Sequence, residues 1–433
     1  MQEFIWQNLS KEERISALER PAGLSDNTVI NAAANIMKDV QSRGDAALRN
    51  YTQRFDKVKL NNFKISISEL EAAWKNLPKD DKSALKTAKA NIEKFHVAQM
   101  PKPITVETQK GVICRREARP IESAALYVPG GTAPLVSTVL MLAVPSKVAG
   151  VKHRIILTPP SADGTINQAI LAAAYLCGVR DVYAVGGAQA IAAATYGTET
   201  IPKSDKIFGP GNAYVAAAKV LASQVAGGPA IDLPAGPSEA MVVADENANP
   251  VFVAADLLSQ AEHDSMAQVI CIATSEAVAK KIKTEIDAQV KTLPRQAIAN
   301  DALSSSRMFI SQNRNDIFDI INAYAPEHLI LQIDDANDLV PGIQHAGSIF
   351  LGPWTPESVG DYASGTNHTL PTYGAARAYS GVTLESFLKY ISIQELSEQG
   401  LRNLGPTVER LASLEELEAH RRAISLRLES LSS

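Results

Sequence analysis

The sequence predicts an α/β fold built on parallel sheets. Short apolar runs alternate with helix-like stretches from Ala124 to about Asp232, and each run ends in a turn rich in glycine or proline. With 433 residues, 45% of them hydrophobic, the chain can also fill two or three domains at roughly 150 residues each. Ahead of this region the chain reads mostly as helix. Asp26 can cap a run whose apolar positions Val29, Ala32, Ala33, Ile36 and Val40 recur every three to four residues. A second helical stretch covers about Ser68 to His96, interrupted near Pro78, with Leu70, Ala73, Trp74, Leu85, Ala88, Ile92 and Phe95 as inner positions.

The alternating segment follows. Its runs at 124–128, 155–157, 182–185 and 206–208 lead into Pro129-Gly130-Gly131, Pro159-Pro160, Gly186-Gly187 and Gly209-Pro210-Gly211. Strand, turn and helix repeated in this way give a parallel sheet with crossover helices, whose ligand cleft lies beyond the carboxyl ends of the strands. Runs at Met241 to Val243 and Val269 to Ala273, separated by a helix at about Val251 to Ser265, predict a second sheet domain. The C-terminal tail reads as helical. There Ser413 and Glu416 fit a capping box, and Leu414, Leu417, Ile424, Leu428 and Leu431 form an apolar stripe that includes His420, predicting that His420 faces protein rather than water.

Composition excludes several functions. The 42 Lys+Arg against 47 Asp+Glu leave a net charge of −5, with no basic patch for a nucleic-acid backbone. Among three cysteines, Cys114, Cys177 and Cys271, there is no CxxC pair, so neither a disulfide framework nor a thiolate zinc cage is expected. Cys177 and Cys271 sit inside apolar runs and read as packing, whereas Cys114 beside Arg115 and Arg116 keeps a reactive-thiol reading open. Lys11, Glu12, Glu13 and Arg14 stand where a signal peptide would be apolar. The most apolar region, 134–150, is shorter than the roughly 20 residues that span a bilayer. A cytoplasmic protein with no membrane partner is expected.

Three stretches carry candidate chemistry. Ile231-Asp-Leu-Pro-Ala-Gly-Pro-Ser-Glu239 is followed by Gln260-Ala-Glu-His263, where Gln260 and His263 stand three apart on a predicted helix and can face one spot. That spacing suits a metal pair or a hydrogen-bonded histidine under a loop. Glu327-His328 follows Ala325-Pro326, and proline suits the first turn of a helix, so an acid/base pair at a helix start is predicted alongside simple capping. The loop 358–368 is glycine-rich and holds Asp361 and His368, Asp361 being a candidate ligand or a turn former. No GxGxxG dinucleotide fingerprint is present.

Taken in order, 231–239 through Glu262-His263, Tyr-Ala-Pro-Glu-His at 324–328, Gly-Asp-Tyr-Ala-Ser-Gly-Thr-Asn-His at 360–368 and the late His420 closely resemble histidinol dehydrogenases over essentially the whole chain. The resemblance implies a zinc-dependent homodimer that oxidises L-histidinol to L-histidine through L-histidinaldehyde with two NAD per substrate. It implies Gln260, His263, Asp361 and His420 as zinc ligands, one zinc per subunit, and Glu327 and His328 as the catalytic pair. Ser238, His368 and Glu415 would join these residues around the substrate, and Tyr127, Gln189 and Asn212 would bind NAD.

The resemblance further implies two incomplete Rossmann-like domains, one inserted in the other. A helical N-terminal segment (1–25) would precede a main α/β domain (26–123 and 238–381), an inserted NAD-binding domain (124–237) and a helical tail crossing to the partner subunit (382–433). The alternative enzyme class is a zinc hydrolase in which Glu327 drives a water onto an amide or ester. A non-catalytic metal- or amino-acid-binding protein is the third reading, and NADH absorbance on adding histidinol separates all three.

Overall fold

Strands in this protein sort into two parallel sheets and one antiparallel ribbon. The computed structural model describes residues 1–21, 27–130, 134–234 and 236–432, so the Asp26 cap and Gly131 of the first turn lie outside the described residues. In chain order the strands are β1 (Gln2–Ile5), β2 (Ile104–Gln109), β3 (Val112–Pro120), β4 (Ser123–Tyr127), β5 (His153–Thr158), β6 (Asp181–Ala184) and β7 (Lys206–Phe208). They continue with β8 (Ala230–Ile231), β9 (Glu239–Ala244), β10 (Gln268–Ala273), β11 (Arg307–Ile310), β12 (His328–Gln332), β13 (Ser348–Leu351) and β14 (Leu388–Leu396). The chain divides into residues 1–99 with 122–386, and residues 100–121 with 387–433.

The first unit holds both parallel sheets, ordered β1-β11-β10-β9-β12-β13 and β6-β5-β4-β7-β8. Central strands buried on both faces read as unbroken apolar runs, because helices cover each side of a parallel sheet. In β9, Ala240, Val242 and Ala244 enter one core while Met241 and Val243 enter the other. The expected runs 124–128, 155–157, 182–185, 206–208, 241–243 and 269–273 each mark a strand, with Val128 and Val185 one residue past the ends of β4 and β6.

Small side chains let helices settle closely on the five-stranded sheet. Helix Gly187–Tyr196 buries Ala188, Ala190, Ala192, Ala193 and Ala194, and helix Ala213–Ser223 buries Ala216, Ala217, Ala218 and Ala222. Helix Asn27–Arg43 packs on both through Ala33, Ile36, Met37 and Val40, joining the core that contains Tyr127 and Tyr183. The break at Pro78 separates helices Ile67–Asn76 and Lys79–Val97. Phe95 departs from expectation at 47% exposed, and His96 is buried instead. Positions 88, 92 and 96 form the inward i, i+4 row, which passes Phe95 by.

In the second unit, β14 pairs antiparallel with β3, and β3 with β2. The tail is therefore not helical from its start: Leu388-Lys-Tyr-Ile-Ser-Ile-Gln-Glu-Leu396 is a strand whose partner lies far away in sequence. Helices Glu398–Leu414 and Glu418–Ser430 follow. The expected capping box is absent. Ser413 lies inside the first of these helices, its hydroxyl donating to the Glu409 carbonyl at 2.8 Å, and Leu417 precedes the second with no side-chain cap. Within the single chain His420 is exposed, and Leu414 and Leu417 of the stripe are exposed with it. Among the described residues no helix is long and apolar enough to cross a membrane.

One buried ion pair fixes the turn after β7. Lys219 Nζ lies 2.5 Å from Asp232 Oδ1, with both side chains out of solvent. Lys219 also donates to the Gly209 carbonyl at 2.8 Å, and Asp232 accepts the Gly209 N–H at 2.7 Å. Gly209 has φ +116°, and a Cβ there would collide with the Tyr127 carbonyl oxygen. Gly209→Ala should lower stability by about 1–3 kcal/mol, read as a reduced urea midpoint at constant m. An unchanged midpoint would show that the turn can relax.

Candidate active site

Strand register places the candidate acid/base pair Glu327-His328. Helix Arg314–Tyr324 stops at Ala325, which is left-handed at φ +55°, and Pro326 cannot continue it. His328 then opens β12, paired in parallel with His328 opposite Ala240 of β9. Glu327 and His328 thus stand at a strand start, correcting the helix start read from Pro326. The run His328-Leu-Ile-Leu-Gln332 is fully buried, and such a run belongs to a central strand. Gly347 lets the neighbouring chain approach: Ser348 N–H donates to the Glu327 carbonyl at 2.9 Å, and a Cβ on Gly347 would lie 2.5 Å from that oxygen.

Both peptide groups of Glu239 serve the pair. Its N–H donates to Glu327 Oε2 at 2.8 Å, and its carbonyl faces His328 Nδ1 at 3.1 Å. A carbonyl only accepts, so Nδ1 carries a proton and Nε2 is the nitrogen left to gain or lose one. Nε2 lies 3.3 Å from Asp361 Oδ1, close enough for an ion pair but not aligned as a hydrogen bond. These groups sit at the amino ends of β9, β12 and β13. In the five-stranded sheet the turns 129–130, 186–187 and 209–211 follow the carboxyl ends of β4, β6 and β7, where the sequence placed them.

The two sheets meet at helix Val136–Ala149. Thr138 Oγ1 lies 3.3 Å from His368 Nε2, and Asn367 Nδ2 donates to the Met141 carbonyl at 2.6 Å, tying the loop around 368 to that helix. Asp361 sits on the short helix Glu357–Tyr362 rather than in an open turn. Glu357, which the sequence reading passed over, is one helical turn before it, and ligand atoms of His328, Glu357 and Asp361 lie within 4.8 Å of one another. The i, i+4 acid pair was the available signal. Gln260 lies in the last turn of helix Pro250–Ala261, while His263 falls just past the helix end, its N–H donating to the Gln260 carbonyl at 3.2 Å.

Burial and crowding set the protonation states. Burial pushes the Glu327 carboxyl up to about 8 against the attraction of His328, and does the same to Glu357. Burial opposes charge on His328, yet the carboxylates of Glu357, Glu327 and Asp361 outweigh it and hold its pKa well above the usual histidine value. Asp361 is pulled below the ordinary carboxylate range despite burial by its contact with His328. Burial lowers His263, and it lowers His368 to about 4. The Asp361 charge acts on His263, His328 and His368 alike, which places all four in one cluster.

The remaining expected residues distribute as follows. Ser238 immediately precedes β9, its carbonyl accepting from Gln268 N–H. Tyr127 ends β4, its hydroxyl accepting the Gly187 N–H at 3.1 Å and its pKa pushed by burial to about 12. Gln189 is buried in the helix that starts at Gly187, and Asn212 caps helix Ala213–Ser223 by accepting from Tyr214 and Val215 N–H. These three stand at the carboxyl ends of β4, β6 and β7. Glu415 and His420 belong to the second unit and do not share a helix: Glu415 ends one, and His420 lies in the first turn of the next. Cys177 and Cys271 are buried with thiols pushed up to about 12, whereas Cys114 lies in β3.

Known proteins resemble this chain over nearly its whole length. The histidinol dehydrogenase family model matches residues 19–428. The histidinol dehydrogenase of Mannheimia succiniciproducens is 51% identical over 428 residues, spanning 99% of this chain and 99% of the relative. That of Vibrio parahaemolyticus is 50% identical over 431 residues, spanning 100% and 99%. A crystal structure of histidinol dehydrogenase from Elizabethkingia anophelis matches with TM-score 0.95 at 48% identity, covering 100% of this chain and 99% of that one.

The low value at His368 has a pH signature. An unfolded histidine takes up a proton near pH 6.5, whereas folded His368 resists until about 4. Below about pH 6.5 the unfolded state therefore binds more protons, so this contribution to stability is intact above 6.5 and erodes as pH falls toward 4. His368→Gln should flatten that decline in chemical denaturation. In the native protein the His368 imidazole nitrogens should keep neutral-tautomer NMR shifts at pH 5, and imidazolium shifts there would refute the assignment.

Proposed function

The chain belongs to the histidinol dehydrogenase family, and from that premise we propose that it oxidises L-histidinol to L-histidine through L-histidinaldehyde, the last steps of histidine biosynthesis. Two successive NAD-dependent hydride transfers take place in one pocket of a cytoplasmic homodimer with one zinc per subunit. The observation that carries this reading is the buried pair Glu327-His328, with Nδ1 of His328 occupied and Nε2 open toward Asp361. The hydrolase alternative gains no support from the three relatives named above, each a histidinol dehydrogenase.

The residues present suit both cofactors. Gln260 Oε1, Asp361 Oδ1 and Glu357 Oε2 are buried without a hydrogen-bond partner, and three acids around one imidazole favour a positive charge among them. Nitrogen and oxygen donors without a thiolate suit an exchangeable zinc rather than a structural one. Gln260, His263 and Asp361 would hold it, with His420 contributed by a second copy of the chain. Gln189 Oε1 is likewise orphaned beside the turn at Gly187, where Tyr127 and Asn212 would join it on the dinucleotide. When bound, zinc would hold the imidazole and amine of the substrate in place, and NAD would take up the hydride of each oxidation.

The chain's own groups move the protons. A cation bound among these acids would offset the charges that raise the His328 pKa. In its neutral form His328 Nε2 removes the alcohol proton and later deprotonates the aldehyde hydrate, because an aldehyde has no hydroxyl of its own to lose. The Glu327 carboxylate activates the hydrating water, and its desolvation makes it a stronger base than an exposed glutamate. Ser238, His368 and Glu415 complete the substrate surroundings with the zinc ligands and the pair itself.

Complete conversion of limiting histidinol should yield two NADH per molecule, and a ratio of one with free aldehyde accumulating would sink the scheme. His328→Ala should slow both oxidations by about 100-fold or more, whereas Glu327→Gln should mainly slow oxidation of histidinaldehyde. Equal losses on both substrates for both variants would remove the division of labour. For the shared site, His263→Ala and His420→Ala are each expected to be inactive as homodimers. Refolding them together should restore one working site per mixed dimer, and silence from mixed dimers shown to have formed would place His420 in its own subunit's site.

A further inference from the structure

We propose that Arg20 and Glu239 are positioning residues for catalysis: the Arg20 guanidinium locks the Glu239 side chain, and so fixes the one peptide unit pair that aims Glu327 and His328. The inference rests on the catalytic roles proposed above for those two residues. Neither Arg20 nor the Glu239 carboxylate makes a hydrogen bond to Glu327 or His328. The contact runs through the Glu239 backbone, whose N–H holds Glu327 Oε2 at 2.8 Å and whose carbonyl holds His328 Nδ1 at 3.1 Å.

The side chain of Glu239 is fastened from several directions. Arg20 meets it as a fork, Nε donating to Oε1 and Nη2 to Oε2 at 2.9 Å. Tyr373 N–H donates to Oε1 at 2.9 Å from a residue at φ +55°. The guanidinium is itself held, since Nη2 also donates to the Tyr324 carbonyl at 2.7 Å and the charge lies 3.8 Å from the Tyr324 ring centroid. Its chain neighbours are pinned on both sides. Tyr373 Oη donates to the Pro21 carbonyl at 2.8 Å, and Gln268 Nε2, whose Oε1 accepts from Tyr324 Oη, donates to the Glu19 carbonyl at 3.3 Å.

A plain neutralising role for Arg20 would need only a positive charge. The fork needs more: two parallel donors in a plane define where the carboxylate lies and in which orientation. Because Glu239 is the first residue of β9, its peptide groups lie at the very end of that strand, where sheet pairing alone holds them least. A displacement on the order of 1 Å at a reacting group can cost about 100-fold in rate, so a slack peptide would be felt in turnover before it was felt in binding.

The test uses the zinc-loaded holoenzyme with saturating NAD. Arg20→Ala should lower kcat for histidinol about 10- to 100-fold, while KM and zinc content stay within about twofold. Guanidinium at about 10 mM should recover part of kcat, and tetramethylammonium, a cation with no donors, should not. Arg20→Lys covers the case in which the alanine variant fails to fold. It keeps the charge without the fork, so it should melt near the wild type and still lose several-fold in kcat. A folded Arg20→Lys protein with wild-type kcat overturns the proposal. So does a folded alanine variant whose loss lies in KM or zinc content, or one that guanidinium does not rescue. His328→Ala in the same assay keeps the two readings apart: full turnover there refutes the catalytic assignment itself, whereas a dead His328→Ala beside fully active Arg20 variants refutes only the positioning role.

Discussion

The register between β9 and β12 is the constraint on which the site depends. Side chains alternate across a strand, so a slip of one residue would send His328 to the opposite face. Apolar sorting forbids that slip: Ile330 packs with Ala240 and Val242 on one side of the sheet, and Leu329 and Leu331 pack with Met241 and Val243 on the other. Chemistry at residues 327 and 328 is thus set by hydrophobic residues that never meet a substrate. The same pairing presents Glu239 to both of them.

Electrostatics at this edge work against folding and in favour of function. Glu239, Glu327, Glu357 and Asp361 lie within one largely dry region with few fixed cations nearby. Burying carboxylates is costly unless they are paired or protonated, and here burial shifts Glu327 and Glu357 toward the neutral form. A purely structural core would replace such groups with apolar ones. Their retention, together with donor atoms left unsatisfied on Gln260, Glu357 and Asp361, marks a place arranged to receive charge.

How far the sequence discloses this depends on the range of each interaction. Periodicity exposed β4 to β7 of one parallel sheet and β9 and β10 of the other, because fully buried strands write unbroken apolar runs, but it passed over β1, β8, β11, β12 and β13. It failed for 388–396, whose alternation is muted on a mostly exposed ribbon with its partner strand at 112–120. Pro326 misled the reading of 327–328 as a helix start, since proline marks helix beginnings and helix ends alike. The candidate site residues were singled out through long motifs and family resemblance rather than spacing. Glu357 could have been found through its i, i+4 spacing to Asp361, whereas Arg20 lay in no pattern that local reasoning weighs, and only the folded chain brings it to a carboxylate 219 residues away.

The alanine-lined helices on the five-stranded sheet give that layer an asymmetric tolerance. Removing a methyl from Ala192 or Ala218 leaves a small void, while adding carbon atoms there pushes a helix off the sheet and costs about 1–3 kcal/mol in overpacking. Drift in this layer is therefore confined to a narrow range of side-chain volume. Because the helices starting at Gly187 and Ala213 also carry Gln189 and Asn212, a bulky substitution deep in the layer would be transmitted outward as a displaced rim. Variation that changes what the rim recognises is thereby steered to the turns, leaving the packed floor beneath them nearly frozen.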